Sequence, residues 1–215
     1  MKIKLFFIFI LFFSKSEAQN IKQTYSPEFN HFLDSVNILI DYQWRPVKKA
    51  LSPSLINESI DFVSNNSADK KSHFLLMMLS EKHPDIYQSI NDSIKVITFC
   101  CRFSQVTKMD SWSILSPNSS RYSDYTAARL FVGLGEKILP CLQHCLSDTT
   151  RVEFGWNTES RSYYIQYRWR KKDFAHRYAA LVLGEKPIFL ETPEERDKVI
   201  DDFIKRNKMK LIKGD

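Results

Sequence analysis

The chain has 215 residues, 43% of them hydrophobic and 26% charged, with a formal net charge of +6 at pH 7. That is enough apolar material for one substantial core and marginal for two independent domains. A basic excess this modest favours solubility, is weak ground for an acidic partner, and argues against nucleic acid.

The first eighteen residues read as an export leader. Lys2 and Lys4 give a positive start, Leu5 to Phe13 is an unbroken apolar run, and Ser16-Glu17-Ala18 supplies small residues where signal peptidase reads them. The run is nine residues long, against about twenty for a spanning helix. Cleavage after Ala18 predicts a mature chain of residues 19–215 with a charge of about +4 and no membrane span, located in the periplasm or outside the cell. Its four cysteines, Cys100, Cys101, Cys141 and Cys145, would then meet oxidising conditions. A bridge between Cys100 or Cys101 and Cys141 or Cys145 stands beside the plainer reading of small buried side chains. Neither pair has the usual spacing of a metal site.

The rest of the chain reads as helices punctuated by prolines. Ser26-Pro27 caps and starts a helix with Phe29, Phe32, Leu33, Val36, Leu39 and Ile40 on one face. Ser52-Pro53 starts a second with Leu55, Ile56, Ile60, Phe62 and Val63. Asp69 or Ser67 caps a third, carrying Phe74, Leu75, Met78 and Leu79, which His83-Pro84 ends. Residues 94–106 form a buried helix, with a strand as the competing reading because Val96-Ile97-Thr98 is β-prone. Trp112, after Met109-Asp110-Ser111, reads as a wedge between helices or as a ligand-facing ring. Asp124 stands where it would cap a helix through Ala127 and Ala128, and Thr192-Pro193-Glu194-Glu195 opens a last helix carrying Val199, Ile200, Phe203 and Ile204.

Leu134-Gly135-Glu136-Lys137 recurs as Leu183-Gly184-Glu185-Lys186, 49 positions on, each copy following an alanine-containing apolar stretch. Two helices that stop at a glycine with this spacing suggest repeat units. From Ala127 to Asp148, and more loosely from Asp173 to Lys186, the chain resembles a HEAT-like helical repeat. The resemblance implies an all-α fold: a right-handed stack of helix pairs forming a degenerate HEAT-like array. The run of Met109-Asp110-Ser111-Trp112, Ala127-Ala128, Leu134-Gly135, Pro140 and Asp173-Phe174-Ala175 is similar to an uncharacterised family of exported bacterial proteins of the Bacteroidetes type. That resemblance carries no catalytic residue onto this chain.

Between the two glycine stops, residues 151–172 interrupt the helical pattern with Phe154, Trp156, Tyr163, Tyr164, Tyr167 and Trp169 among Arg161, Arg168, Arg170, Lys171 and Lys172. The alternation of Tyr163, Ile165, Tyr167 and Trp169 against Tyr164, Gln166, Arg168 and Arg170 has a period of two and predicts a short extended or β-hairpin insertion. Rigid rings beside guanidinium groups suit a protein interface, so Trp156, Arg161, Tyr163, Tyr164, Tyr167, Arg168, Trp169 and Arg170 are the candidate interaction residues. An anionic glycan would suit the same chemistry, and rings packed on the body with arginines reaching to water would need no ligand.

Catalytic chemistry has little foothold. Of His31, His73, His83, His144 and His176, no two are spaced to hold a metal from one helix, and His144 and Cys145 diverge around a helix by about 100°. Glu58 and Asp61 read as solvated neighbours rather than a glycosidase pair. No cofactor or metal site is predicted. The expectation is an exported binding or scaffolding protein. The alternative is an envelope-associated hydrolase or modifying enzyme that brings His176, Asp173 and Asp110 together on folding.

Overall fold

The computed structural model describes residues 24–41, 51–107, 109, 112, 126–153, 166–188 and 190–212. The leader, Asp110, Asp124 and residues 154–165, with Trp156, Arg161, Tyr163 and Tyr164, lie outside the described residues. The α-helices in chain order are α1 (Pro27–Asp41), α2 (Pro53–Asn65), α3 (Lys70–Lys82), α4 (Pro84–Ser89), α5 (Asp92–Gln105), α6 (Thr126–Gly133), α7 (Leu139–Cys145), α8 (Lys171–Val182) and α9 (Pro193–Ile212). A 3-10 turn, Gly135–Ile138, joins α6 to α7.

The helix starts follow local chemistry. The Ser26 hydroxyl accepts from the Phe29 N–H at 3.1 Å, and Ser52 does the same for Leu55 at 3.4 Å. Asp69 accepts from Lys71 at 2.7 Å, which decides the cap of α3 in its favour. Thr192 and Glu195 exchange bonds as a capping box at the head of α9. Asn91 accepts from Ser93 at 2.8 Å to start α5, so Val96-Ile97-Thr98 is helical rather than a strand. Burial of Phe99 and Phe103, one turn apart, outweighs β-propensity there, and Ile97 is left 47% exposed. Glu58 is not a freely solvated group: it accepts from the Ser26 N–H at 2.6 Å and hydroxyl at 2.8 Å, tying α2 to the start of α1.

The expected stack of helix pairs is not what these helices build; they form an all-α, multi-helix bundle. In a solenoid each unit touches only its neighbours. Here α3 packs against α1, α2, α4, α5 and α6. It is buried continuously from Ser72 to Leu79, as a helix apolar around its circumference must be. A second group forms where α7 meets α5, α8 and α9. The two join through an aromatic cluster of Phe99, Phe103, Trp112, Phe131 and Tyr178. Trp112 is the wedge: it is buried, and its carbonyl accepts the Tyr178 hydroxyl.

The repeated tetrapeptide marks two glycines in the left-handed region, Gly135 at φ 65° and Gly184 at φ 71°. At the second copy the Glu185 N–H donates to Ala180 at 2.8 Å and Gly184 to Leu181 at 3.1 Å, a Schellman ending of α8. At the first copy the chain continues into the 3-10 turn and α7. A Cβ at Gly184 would meet nothing within 4 Å, so the cost of substitution there is conformational. Gly184→Ala is expected to lose about 1 kcal/mol in urea unfolding, with Gly184→Asn losing less because asparagine tolerates this region. A loss under about 0.3 kcal/mol would show that the left-handed turn does not constrain the fold.

Candidate functional site

The aromatic and basic insertion begins and ends at one clamped stem. The Val152 N–H donates to the Trp169 carbonyl at 3.1 Å, and Lys171 donates to Thr150 at 2.9 Å. On the outgoing side Glu153 donates to Thr107 at 2.8 Å and accepts from Met109 at 2.8 Å. Among the described residues no strand stands where the hairpin was predicted; Arg151 and Arg170 form an isolated antiparallel bridge. The physical reason lies in two residues of the expected alternation. Arg168 takes φ 48°, which breaks an extended run, and Arg170 is the N-cap of α8.

The incoming stem is held by an ionic network that spacing along the chain does not reveal. Arg170 bonds in bidentate fashion to Asp173, at 2.9 and 3.2 Å, and to Asp197, at 2.7 and 3.1 Å. Asp173 also accepts the Arg170 N–H at 2.8 Å, closing the first turn of α8. Arg196, from the first turn of α9, donates to the backbone carbonyls of Tyr167 at 2.6 Å, Glu191 at 2.8 Å and Leu190 at 3.1 Å. Its guanidinium lies 4.3 Å from the centre of the Trp169 ring. Its Nε stands 3.3 Å from Asp173 Oδ1 as an ion pair without hydrogen-bond alignment. Burial pushes the Asp197 carboxyl up, but hydrogen bonds from Arg170 and Lys172 outweigh it and hold the group below the usual carboxylate range.

The eight candidate residues therefore divide. Trp169 is 7% exposed and lies under Arg196, and Arg170 is consumed by two carboxylates. Lys171 is buried, donates to the Ser104 carbonyl at 2.6 Å and pairs with Asp148 at 3.1 Å; Lys172 pairs with Asp197 at 2.6 Å. Tyr167 is half-buried, and Arg168 is exposed. Arg168 is the one non-glycine among the described residues at positive φ, a local cost of about 1–2 kcal/mol borne where its carbonyl meets Arg196. Arg196 and Asp197 went unseen in the sequence, where they read as ordinary charges in the first turn of a helix.

Asp173 and His176 line one cavity with Trp169, Arg177, Arg196 and Ile200. Its volume is about 20 Å³, room for one water. Burial lowers the His176 pKa to about 4, so the ring is neutral at physiological pH, and its edge meets Phe203 at 4.8 Å. A larger open groove of about 460 Å³ adjoins the stem through Lys172, with Leu146 and Ile204 beside Lys208 and Asp201 in its walls. Among the described residues no group of three or more His, Cys, Asp or Glu is arranged to hold a metal. No helix among them is long and apolar enough to cross a membrane. In comparisons with known proteins, no family model, no curated protein and no solved structure matches the chain.

Proposed function

We propose that this is an exported binding or scaffolding protein whose partner, a protein, docks on the segment between Glu153 and Gln166. The observation that supports it most is the clamp. The described residues on either side of 154–165 are joined through the Val152 and Trp169 pair, and Arg196 fixes the second of these flanks through the Tyr167 carbonyl. Holding the base of a loop in one place lowers the ordering cost of binding through it. The rings and arginines of that segment supply contact area and directional bonds, while the strained Arg168 stands exposed at its foot. Export rests on the leader-like start, Met1 to Ala18, and on the resemblance to exported bacterial proteins.

The alternative, an envelope-associated hydrolase or modifying enzyme, has one observation in its favour: Asp173 and His176 share a cavity. That cavity admits about one water and no substrate, and Asp173 is committed to two arginines. Binding is the better supported reading.

Simultaneous replacement of Trp156, Tyr164 and Arg168 by alanine is expected to reduce capture of the native partner from an envelope fraction by at least about tenfold, with helical circular dichroism unchanged. Undiminished capture by the triple variant would remove the site assignment. Capture that survives protease treatment of the fraction, but not removal of acidic polysaccharide, would replace the protein partner with an anionic glycan.

A further inference from the structure

Three of the four cysteines, none of which the binding reading uses, come together where α5 packs against α7. All four are free thiols; Cys100, Cys101 and Cys141 are partly exposed, and Cys145 is buried. The Cys141 thiol interacts through its side chain with the thiols of both Cys100 and Cys145, while Cys101 acts on it only through charge. Cys100 and Cys141 both pack against the edge of the core, so their positions are set by the helix packing.

The candidate pairings are not equivalent. Cys141 and Cys145 sit one turn apart on the same short helix, where their Cα–Cβ bonds run nearly parallel and seldom meet disulfide geometry. Adjacent Cys100 and Cys101 leave α5 in directions about 100° apart, and Cys100 is the one whose side chain engages Cys141. Cys100 and Cys141 approach from different helices, and each is reachable from solvent. We propose that Cys100 and Cys141 are a disulfide-forming pair that staples α5 to α7 when the folded chain meets a disulfide oxidant.

The chemistry is thiol–disulfide exchange with a low-molecular-weight disulfide, RSSR. Cys100 Sγ gives its proton to solvent and attacks one sulfur of RSSR, forming a mixed disulfide and releasing a thiolate that takes up a proton as RSH. Cys141 Sγ then loses its proton and attacks Cys100 Sγ, releasing the second RSH. Two thiols are oxidised, one external disulfide is reduced to two thiols, and the bond closes a loop around residues 101–140. The Cys100 thiol beside it, and then burial, push the Cys141 thiol well above the ordinary range. Both steps proceed through a thiolate and accelerate with rising pH.

The test uses the full chain, folded, incubated with oxidised glutathione, then alkylated, digested and mapped by mass spectrometry. Titratable thiols in denaturant are expected to fall from four to two per chain, with one cross-linked peptide pair joined through Cys100 and Cys141. Cys145→Ser is expected to keep that linkage. Four remaining thiols, glutathione retained on Cys100, a bond through Cys101 or Cys145, or a bond between two chains would each overturn the proposal. Because the linkage map is read on the unaltered chain, it does not depend on the folding of a variant.

Discussion

Asp173→Ala is expected to lower folding stability by about 3–5 kcal/mol, a large share of the 5–15 kcal/mol typical of a domain. The Asp173 side chain is 1% exposed and sits between Arg170 and Arg196, the latter 5% exposed. Removing it leaves Arg196, short of water, without its paired carboxylate and Arg170 with Asp197 alone, and opens the cap of α8 by releasing the Arg170 N–H. Asp197 is the internal control. It pairs with the same Arg170 and with Lys172 but is 40% exposed, so solvent screening limits Asp197→Ala to about 1 kcal/mol. Urea midpoints of the two variants should separate in that order. Pairing Asp173→Ala with Arg196→Met should cost less than the two single changes added together, since the buried charge left behind is what makes each expensive. Equal small losses at Asp173 and Asp197 would show that the network is open to water. Loss of partner capture by Asp173→Ala, a residue far too buried to touch a partner, would tie the clamp to binding.

What the sequence disclosed was whatever is decided within a turn or two of chain. Ser26-Pro27, Ser52-Pro53, Asp69 and Thr192 with Glu195 announce helix starts because the cap and the groups it satisfies are two or three residues apart. Gly135 and Gly184 announce left-handed turns for the same reason. The assembly of the helices was not legible. A degenerate echo of one tetrapeptide suggested a linear stack, but α3 takes neighbours on every side, and its unbroken burial from Ser72 to Leu79 is a consequence of tertiary packing. The extended insertion failed on backbone conformation: alternating side chains imply a strand only if each residue can be extended, and Arg168 is not. The basic residues were counted as surface charge because their partners lie elsewhere. Arg170 meets Asp197 across 27 residues and Lys171 meets Ser104 across 67, separations over which no local pattern exists. Trp169 and Arg170, two of the residues that read as an interface in the sequence, are thus spent on contacts within the fold.

Acidification from pH 7.5 to 5 is expected to cost about 4 kcal/mol, before any carboxylate is lost. The cause is two buried imidazoles. His73 stacks on Trp112 at 5.3 Å and meets the edge of Phe99 at 5.2 Å, with its Nε2 buried and unpartnered. Burial, reinforced by the positive charge of Arg102, lowers its pKa to about 3, and burial lowers that of His176 to about 4. Both folded values lie below the ordinary value of 6.5, so the neutral ring is favoured in the native state. Above pH 6.5 neither state is protonated and nothing is lost. As pH falls through 6.5 the unfolded chain takes up protons that the folded chain refuses until about 3 and 4, so stability drops by about 1.4 kcal/mol per unit for each ring, about 2 kcal/mol each by pH 5. The depressed carboxylates work over a lower window. Asp92, held down by hydrogen bonds from Lys137 and Lys95, and Asp197 contribute stability that is present above about pH 4 and is lost only below it. His73→Phe keeps the ring contacts and removes both the titration and the unsatisfied nitrogen. Its urea midpoint should match or exceed that of the unaltered chain at pH 7.5, and its loss between pH 7.5 and 5 should be about half as large, with His176 supplying the remainder. An unchanged pH slope in this variant would mean that water reaches the His73 ring, and that the aromatic cluster joining the two halves of the bundle is more open than its packing indicates.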